Sequence, residues 1–233
     1  MNIVRKMNFM LLIGGLLFFN YSNVLGSPSS DKDIMSQKME ENILHSPFKA
    51  LLHRSDGSKI MAYLYAKDGK SKLAKHYSRI DGESYTTMES IGHFQIYLYD
   101  VDRNRFFPGK TPIFKDFNEI TLNSEGAKIL VLSGDQEGKS DVLLISQFGT
   151  AEGDIYEAYG FSQDNLSFKN YIFNNGKKKD NQFYGSILND DKKKKLVAYT
   201  THQKYEIGGF VILKVNISLS KIPGEIDVQY EDW

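Results

Sequence analysis

Phe210-Val-Ile-Leu-Lys-Val-Asn-Ile-Ser-Leu219 decides the fold class. Val211, Leu213, Val215, Ile217 and Leu219 alternate with Ile212, Lys214, Asn216 and Ser218. Successive side chains of a strand point to opposite faces, so this period of two describes a strand with one buried face. Working outward, the same texture recurs in Ile60–Tyr65, Phe94–Tyr99, Val142–Ser146, Ile155–Phe161 and Leu196–Thr200. These short runs, rich in β-branched and aromatic residues, are separated by clusters of Gly, Asp, Asn and Lys, the punctuation of antiparallel hairpins. The class expected is all-β. One short helix is expected near the start, over Ile34–Leu44, where Ile34, Met35, Met39 and Ile43 recur at helical spacing and Asp33 can act as N-cap.

Shifting the chain by 54 residues lays 129–173 over 183–227 without a gap, apolar position on apolar position. Val142–Ile145 falls on Leu196–Tyr199, and Tyr156 on Phe210. Each copy reads as four short strands, the content of one propeller blade. The expected units are 128–176 and 182–230, with 48–117 as an earlier and longer copy. Three units are fewer than the about four to eight blades of a closed propeller. The alternatives are therefore an incomplete or unusual propeller in tandem four-stranded units, or a β-sandwich or open barrel.

The N-terminus has the layout of a secretory signal peptide over residues 1–26. Arg5 and Lys6 precede an apolar run from Met7 to Phe19, which is shorter than the about 20 residues a membrane span requires. Val24 and Gly26 supply the small residues a signal peptidase needs before a cut ahead of Ser27. A polar leader and the short helix fill 27–46, and one β-rich domain fills 47–233. Among 29 basic and 29 acidic residues, only Arg5 and Lys6 lie in the leader, so the remainder stays close to neutral. A neutral surface gives no reason to expect nucleic acid or an anionic membrane as partner. The lysine runs Lys177–Lys179 and Lys192–Lys195 read as solvated turns. With no cysteine there are no disulfides and no lipid attachment through an acylated cysteine, so stability must come from burial. Absence of disulfides in an exported, Lys- and Asn-rich chain suggests a bacterial source; in a eukaryotic host Asn165 and Asn216 would be glycosylation acceptors.

Gly134-Asp-Gln-Glu-Gly-Lys-Ser-Asp-Val-Leu-Leu144 places an Asp- and Gly-rich loop before an apolar strand. This segment resembles the repeats of FG-GAP and VCBS-type β-propellers, a likeness that implies a blade and, in many members, a calcium ion in the loop. Gly138, Lys139, Ser140, Asp141 and Val142 fit the later half of that pattern, whereas Ser133 stands where its leading carboxylate belongs. A second oxygen-rich loop is Asp100-Val-Asp102-Arg-Asn104, where Asp100, Asp102 and Asn104 are the calcium candidates. Calcium takes about six to eight oxygens, and the later positions of an EF-hand loop fall here on Arg105 and Thr111. A hairpin turn accounts for the same residues, since Asp and Asn favour turns.

No cysteine nucleophile, Gly-x-Ser-x-Gly elbow or His-Glu-x-x-His helix is present. His45, His53, His76, His93 and His202 lack ligand spacing, and Glu152, Asp154 and Glu157 are unranked acids. Tyr63, Tyr65, Tyr97, Tyr99, Tyr156 and Tyr159 read as core, with an exposed stacking platform as the alternative. Together these features favour a secreted, non-enzymatic binding protein whose partner is a protein or a cell-envelope glycan, met by loops at one end of the sheets. The competing expectation is an extracellular hydrolase whose acids or histidines converge on folding. A third is a wall-associated structural protein with no small ligand.

Overall fold

The computed structural model describes residues 31–77, 84–123, 129–134, 138–150, 153–165, 167–190, 195–204 and 209–231. The signal peptide and its cut at Gly26/Ser27, the first leader residues, Asp135–Glu137, Glu152 and Lys192–Lys194 lie outside the described residues. Helix α1 (Asp31–Leu44) ends where the periodicity places its end and begins three residues earlier than expected. The chain divides into residues Met1–Met39 and Glu40–Trp233; the last turn of α1, with Ile43 buried, belongs to the second unit. No helix among the described residues is long and apolar enough to cross a membrane.

All else is strand. The first half contributes β1 (Lys49–His53), β2 (Lys59–Tyr65), β3 (Lys70–Tyr77), β4 (Ser84–Gly92), β5 (Gln95–Asp100), β6 (Arg105–Phe106), β7 (Thr111–Pro112) and β8 (Ile120–Asn123). The second half contributes β9 (Ile129–Leu132), β10 (Val142–Thr150), β11 (Gly153–Phe161), β12 (Phe168–Asn174), β13 (Lys179–Asp180), β14 (Gln182–Asp190), β15 (Lys195–Lys204), β16 (Gly209–Leu219) and β17 (Glu225–Tyr230). The strand runs named from sequence lie in strands of the fold, except that Phe94 falls one residue ahead of β5. In β16, Val215, Ile217 and Leu219 point inward while Ile212, Asn216 and Ser218 are exposed.

The strands β9–β12 form one antiparallel meander and β14–β17 another. They do not stand apart as blades. All nine C-terminal strands join one sheet, in the order β13-β12-β17-β16-β15-β14-β11-β10-β9, and the sheet closes on itself where β12 also pairs with β11. Strands β11, β12, β17, β16, β15 and β14 are thus a closed six-stranded barrel, and the barrel alternative is the one the structure carries. Closure uses one edge of β11 twice: Asp154–Glu157 pairs with β14, and Ala158–Phe161 with β12. Its seam is a parallel pairing of the last strands of the two meanders, Ile172 with Glu225 and Phe173 with Ile226. At Gly185, β14 changes partner from β11 to β15. A β-carbon there would lie 2.4 Å from the Tyr199 carbonyl oxygen, so only glycine permits the backbones to approach this closely.

Residues 48–117 are arranged differently. Strands β1, β2, β5, β6 and β7 form a five-stranded sheet, while the β3–β4 hairpin leaves it to pair with β8. Two cores result, and β10–β11 is the wall between them. Val142, Leu144, Tyr156 and Ala158 face the barrel interior, with Phe173, Phe183, Ile187, Val215, Ile226 and others. Leu143, Ile145, Tyr159 and Phe161 face Leu52, Ile60, Leu64, Ile96 and Phe114 of the first half. Burial of both faces explains why β10 and β11 read as near-continuous apolar runs, whereas β16 alternates. Each such side chain contributes about 1.5–3 kcal/mol by leaving water.

Candidate functional site

The ends of β12 and β17, which run parallel, define two mouths of the barrel, and the polar chemistry of the two differs.

The first mouth gathers the start of β10, the β11–β12 turn, the β16–β17 turn and the segment after β1 around a cleft of about 210 Å3. Many of its polar groups bond one another. Asp141, the acid just before β10, is buried. Its Oδ1 accepts the Gly134 N–H (2.9 Å), and its Oδ2 accepts the His53 N–H (2.8 Å) and contacts His53 Nδ1 (3.1 Å). The Asp141 N–H returns to the His53 carbonyl at 2.8 Å, pinning the loop to β1. Ser140 Oγ donates to Asn165 Oδ1 (3.0 Å) and accepts the Ser55 N–H (2.8 Å); Asn165 Nδ2 donates to Ser55 Oγ (2.9 Å). Arg54 lies over the Phe161 ring, 5.3 Å from its centroid, and donates to the Asn165 carbonyl at 2.9 Å. Lys139 Nζ donates to the Ser220 carbonyl at 3.0 Å. Glu225 is held below the usual carboxylate range by Lys179 first and then by Asn174 Nδ2 at 2.8 Å. This network closes the mouth more than it offers groups to a ligand.

The second mouth is a cleft of about 200 Å3 whose floor is the core itself, Phe173, Phe183 and Val228. Its walls are Tyr184 and Tyr230, 50% and 44% exposed. Around them stand Thr200, Asn175, Gln182 and the Lys178–Asp180 ion pair at 2.7 Å. Burial opposes ionisation of Asp180, but the Lys178 ammonium and the Gln182 N–H outweigh it and hold the carboxyl below its ordinary range. The hydrogen bond to Asp180 raises Lys178 correspondingly. The turn that carries Asn175 is fixed by Gly176, whose φ of 78° suits glycine, and by the Lys177 and Lys178 N–H groups donating to Asn175 Oδ1. That leaves the Asn175 Nδ2 group and the Tyr230 hydroxyl with no hydrogen bond among the described residues. Tyr184 is oriented from below, since its hydroxyl donates to Gln182 Oε1 (3.1 Å) and Gln182 Nε2 donates to buried Glu157 (3.1 Å).

The sequence candidates sort as follows. Asp100, Asp102 and Asn104 occupy the turn between β5 and β6, and each side chain has its own donor. Asp100 Oδ1 accepts the Arg103 N–H (3.0 Å), Asp102 Oδ2 the Lys59 N–H (3.1 Å), and Asn104 Oδ1 the Tyr99 hydroxyl. Among the described residues no three His, Asp or Glu side chains group as a metal would require. Glu157 is a buried structural acceptor, taking the Phe114 N–H (2.6 Å) and the Tyr159 hydroxyl. Asp154 accepts the Tyr156 hydroxyl at 3.3 Å. His45 Nδ1 meets the Glu41 carbonyl at the end of α1, and His93 Nδ1 meets Asp68 Oδ2 at 2.6 Å on the surface.

The tyrosines divide. Tyr156 and Tyr159 are core, and burial raises both hydroxyls well above their ordinary range. Tyr63, Tyr65, Tyr97 and Tyr99 lie on the outward face of β2 and β5, packed edge-on against one another and Phe106. Standing on edge, they bury each other and present little ring face.

The chain matches no protein-family model, no curated protein and no solved structure.

Proposed function

We propose that this chain is a secreted, non-enzymatic binding protein that meets its partner, a protein or a cell-envelope glycan, at the barrel mouth bearing Tyr184 and Tyr230. The observation that supports this most is the contrast between the mouths. In one, Asp141, Ser140, Asn165, Lys139 and Glu225 are engaged within the protein; the other keeps exposed aromatic rings, an amide and a hydroxyl open over an apolar floor. Binding sites of this type combine apolar area with a few placed polar groups. Immobilised mature chain, beginning at Ser27, is expected to retain envelope material saturably, and the Tyr184→Ala/Tyr230→Ala double variant to lose that retention. Equal retention by the variant would refute the site.

The hydrolase reading has one observation in its favour, the His53–Asp141 pair, which matches the base and orienting acid of a hydrolytic triad. The neighbouring Ser55 and Ser140 hydroxyls, however, are committed to Asn165. Hydrolysis of ester or glycoside reporters that His53→Ala abolishes would establish that reading instead.

A further inference from the structure

The chemistry of the second mouth narrows the partner further. A cleft of about 200 Å3 lies below the ~300–1,000 Å3 of drug-sized ligand pockets. A small occupant, such as one sugar ring, suits that space. Among the described residues of its wall the charged side chains are Lys178 and Asp180, and they are paired with each other. A ligand with net charge would find no uncompensated counter-charge there.

What the wall does offer is a mixture of ring surface and donors beside acceptors. Tyr184 and Tyr230 supply amphipathic rings, apolar in body and polar at the tip. Asn175 Nδ2, the Thr200 hydroxyl and the Lys178 ammonium can donate, and Asp180 and the tyrosine hydroxyls can accept. Vicinal hydroxyls on a ring need this pairing, since each both donates and accepts, while the C–H face of the ring is apolar and suits an aromatic wall.

We infer that the second mouth binds a neutral pyranose unit of a glycan, its ring against Tyr230 and Tyr184 and its hydroxyls on Asn175, Lys178 and Asp180. This rests on the binding reading above and gives it a ligand class. The probes are the methyl glycosides of glucose, galactose, mannose and N-acetylglucosamine, with glucuronate as the charged comparison, observed by saturation-transfer NMR and titrated against the mature chain. At least one neutral glycoside is expected to bind saturably in the millimolar range. Tyr230→Ala and Tyr184→Ala should each weaken it about tenfold or more, the equivalent of ~1.4 kcal/mol. Tyr230→Phe, which keeps the ring, should retain most of the affinity, and Tyr199→Ala, exposed on the barrel outside the cleft, should change nothing.

Both cleft tyrosines are about half exposed, so their removal leaves the core intact; unchanged circular dichroism and melting temperature establish that the variants are folded. Absence of transfer from every neutral glycoside overturns the assignment, as does binding indifferent to both alanine variants. Tighter binding of glucuronate than of glucose, or capture of a peptide lost in the same variants, also overturns it. Envelope retention is scored separately, so a protein partner retained by the tyrosine mouth with no glycoside binding would sink this assignment and leave the binding reading standing.

Discussion

Glu157→Ala should be among the most damaging single substitutions in this chain. The carboxylate sits on β11, buried, and accepts from the Phe114 N–H, the Tyr159 hydroxyl and Gln182 Nε2. Besides the carboxylate, alanine deletes one methylene, at about 0.8 kcal/mol. It also strands donors on Phe114 and Tyr159, both almost wholly buried, at about 1–3 kcal/mol apiece. Gln182 is half-buried and can turn to water. Two effects work the other way: the desolvation of the carboxylate is recovered, and the Tyr159 hydroxyl can lean on the Pro112 carbonyl, 3.5 Å away. The net expectation is about 3–5 kcal/mol, most of it from the two stranded buried donors. With a urea m-value near ~2 kcal/mol/M, the midpoint should fall by roughly 2 M. Glu157→Gln keeps the methylenes and one oxygen for Phe114 and Tyr159, and should cost about 1 kcal/mol. Equilibrium urea unfolding followed by tyrosine fluorescence measures both. An alanine variant within ~1 kcal/mol of wild type, or a glutamine variant as damaged as the alanine one, would refute the reasoning.

Gly185→Ala should destabilise the barrel by about 1–3 kcal/mol or more, because its β-carbon would meet the Tyr199 carbonyl at 2.4 Å and the Phe183 ring at 2.9 Å; thermal unfolding with an unchanged midpoint would contradict the corner. His93 is raised by its hydrogen bond to Asp68, and Asp68 is lowered by the same contact. The stabilisation from His93 is therefore complete below its unfolded value and fades as pH rises through the raised folded value; that from Asp68 is lost as pH falls through its depressed one. An NMR titration should place His93 above an ordinary histidine and Asp68→Asn should return it. For the β5–β6 turn, millimolar calcium should leave the melting temperature unchanged, and a calcium-dependent rise that Asp102→Ala abolishes would replace the turn with a metal site.

The all-β class was legible because burial writes itself into period two, and it failed to show where burial is slight. The β3–β4 hairpin carries Leu73, 71% exposed, opposite Met88 and among lysines and threonines, so no alternation announces it. The β6, β7 and β13 strands are two residues each, too short for any period. Strand order was a different matter. The 54-residue shift locates two four-stranded meanders, but whether they stand as blades or share a barrel depends on which edges meet. That choice rests on the Ile172–Glu225 seam and the divided edge of β11, contacts between residues distant in sequence that leave no local mark. Gly185 was the one available signal, a glycine inside a strand where a close approach or corner is needed.

The candidate cleft was hidden for the same reason, since Phe173, Tyr184, Thr200 and Tyr230 come from four strands and share no spacing. The sequence singled out Glu157 as an unranked acid and the strand tyrosines as a possible platform, and the fold connects the two ideas through different residues. Tyr184 donates to Gln182, Gln182 donates to Glu157, and Glu157 also holds Phe114 of the other core. If that chain orients Tyr184, Glu157→Gln must reverse it. The new amide would face the Gln182 amide donor to donor, Gln182 would flip, and the Tyr184 hydroxyl would lose its acceptor. Stability and the cleft should then be coupled: in a double-mutant cycle, Glu157→Gln and Tyr184→Phe should fall short of additivity by about 0.5–1 kcal/mol, while Glu157→Gln with Tyr230→Phe should be additive. Strict additivity in both cycles would mean that Tyr184 is placed by its strand alone and that the buried carboxylate serves only to join the two cores.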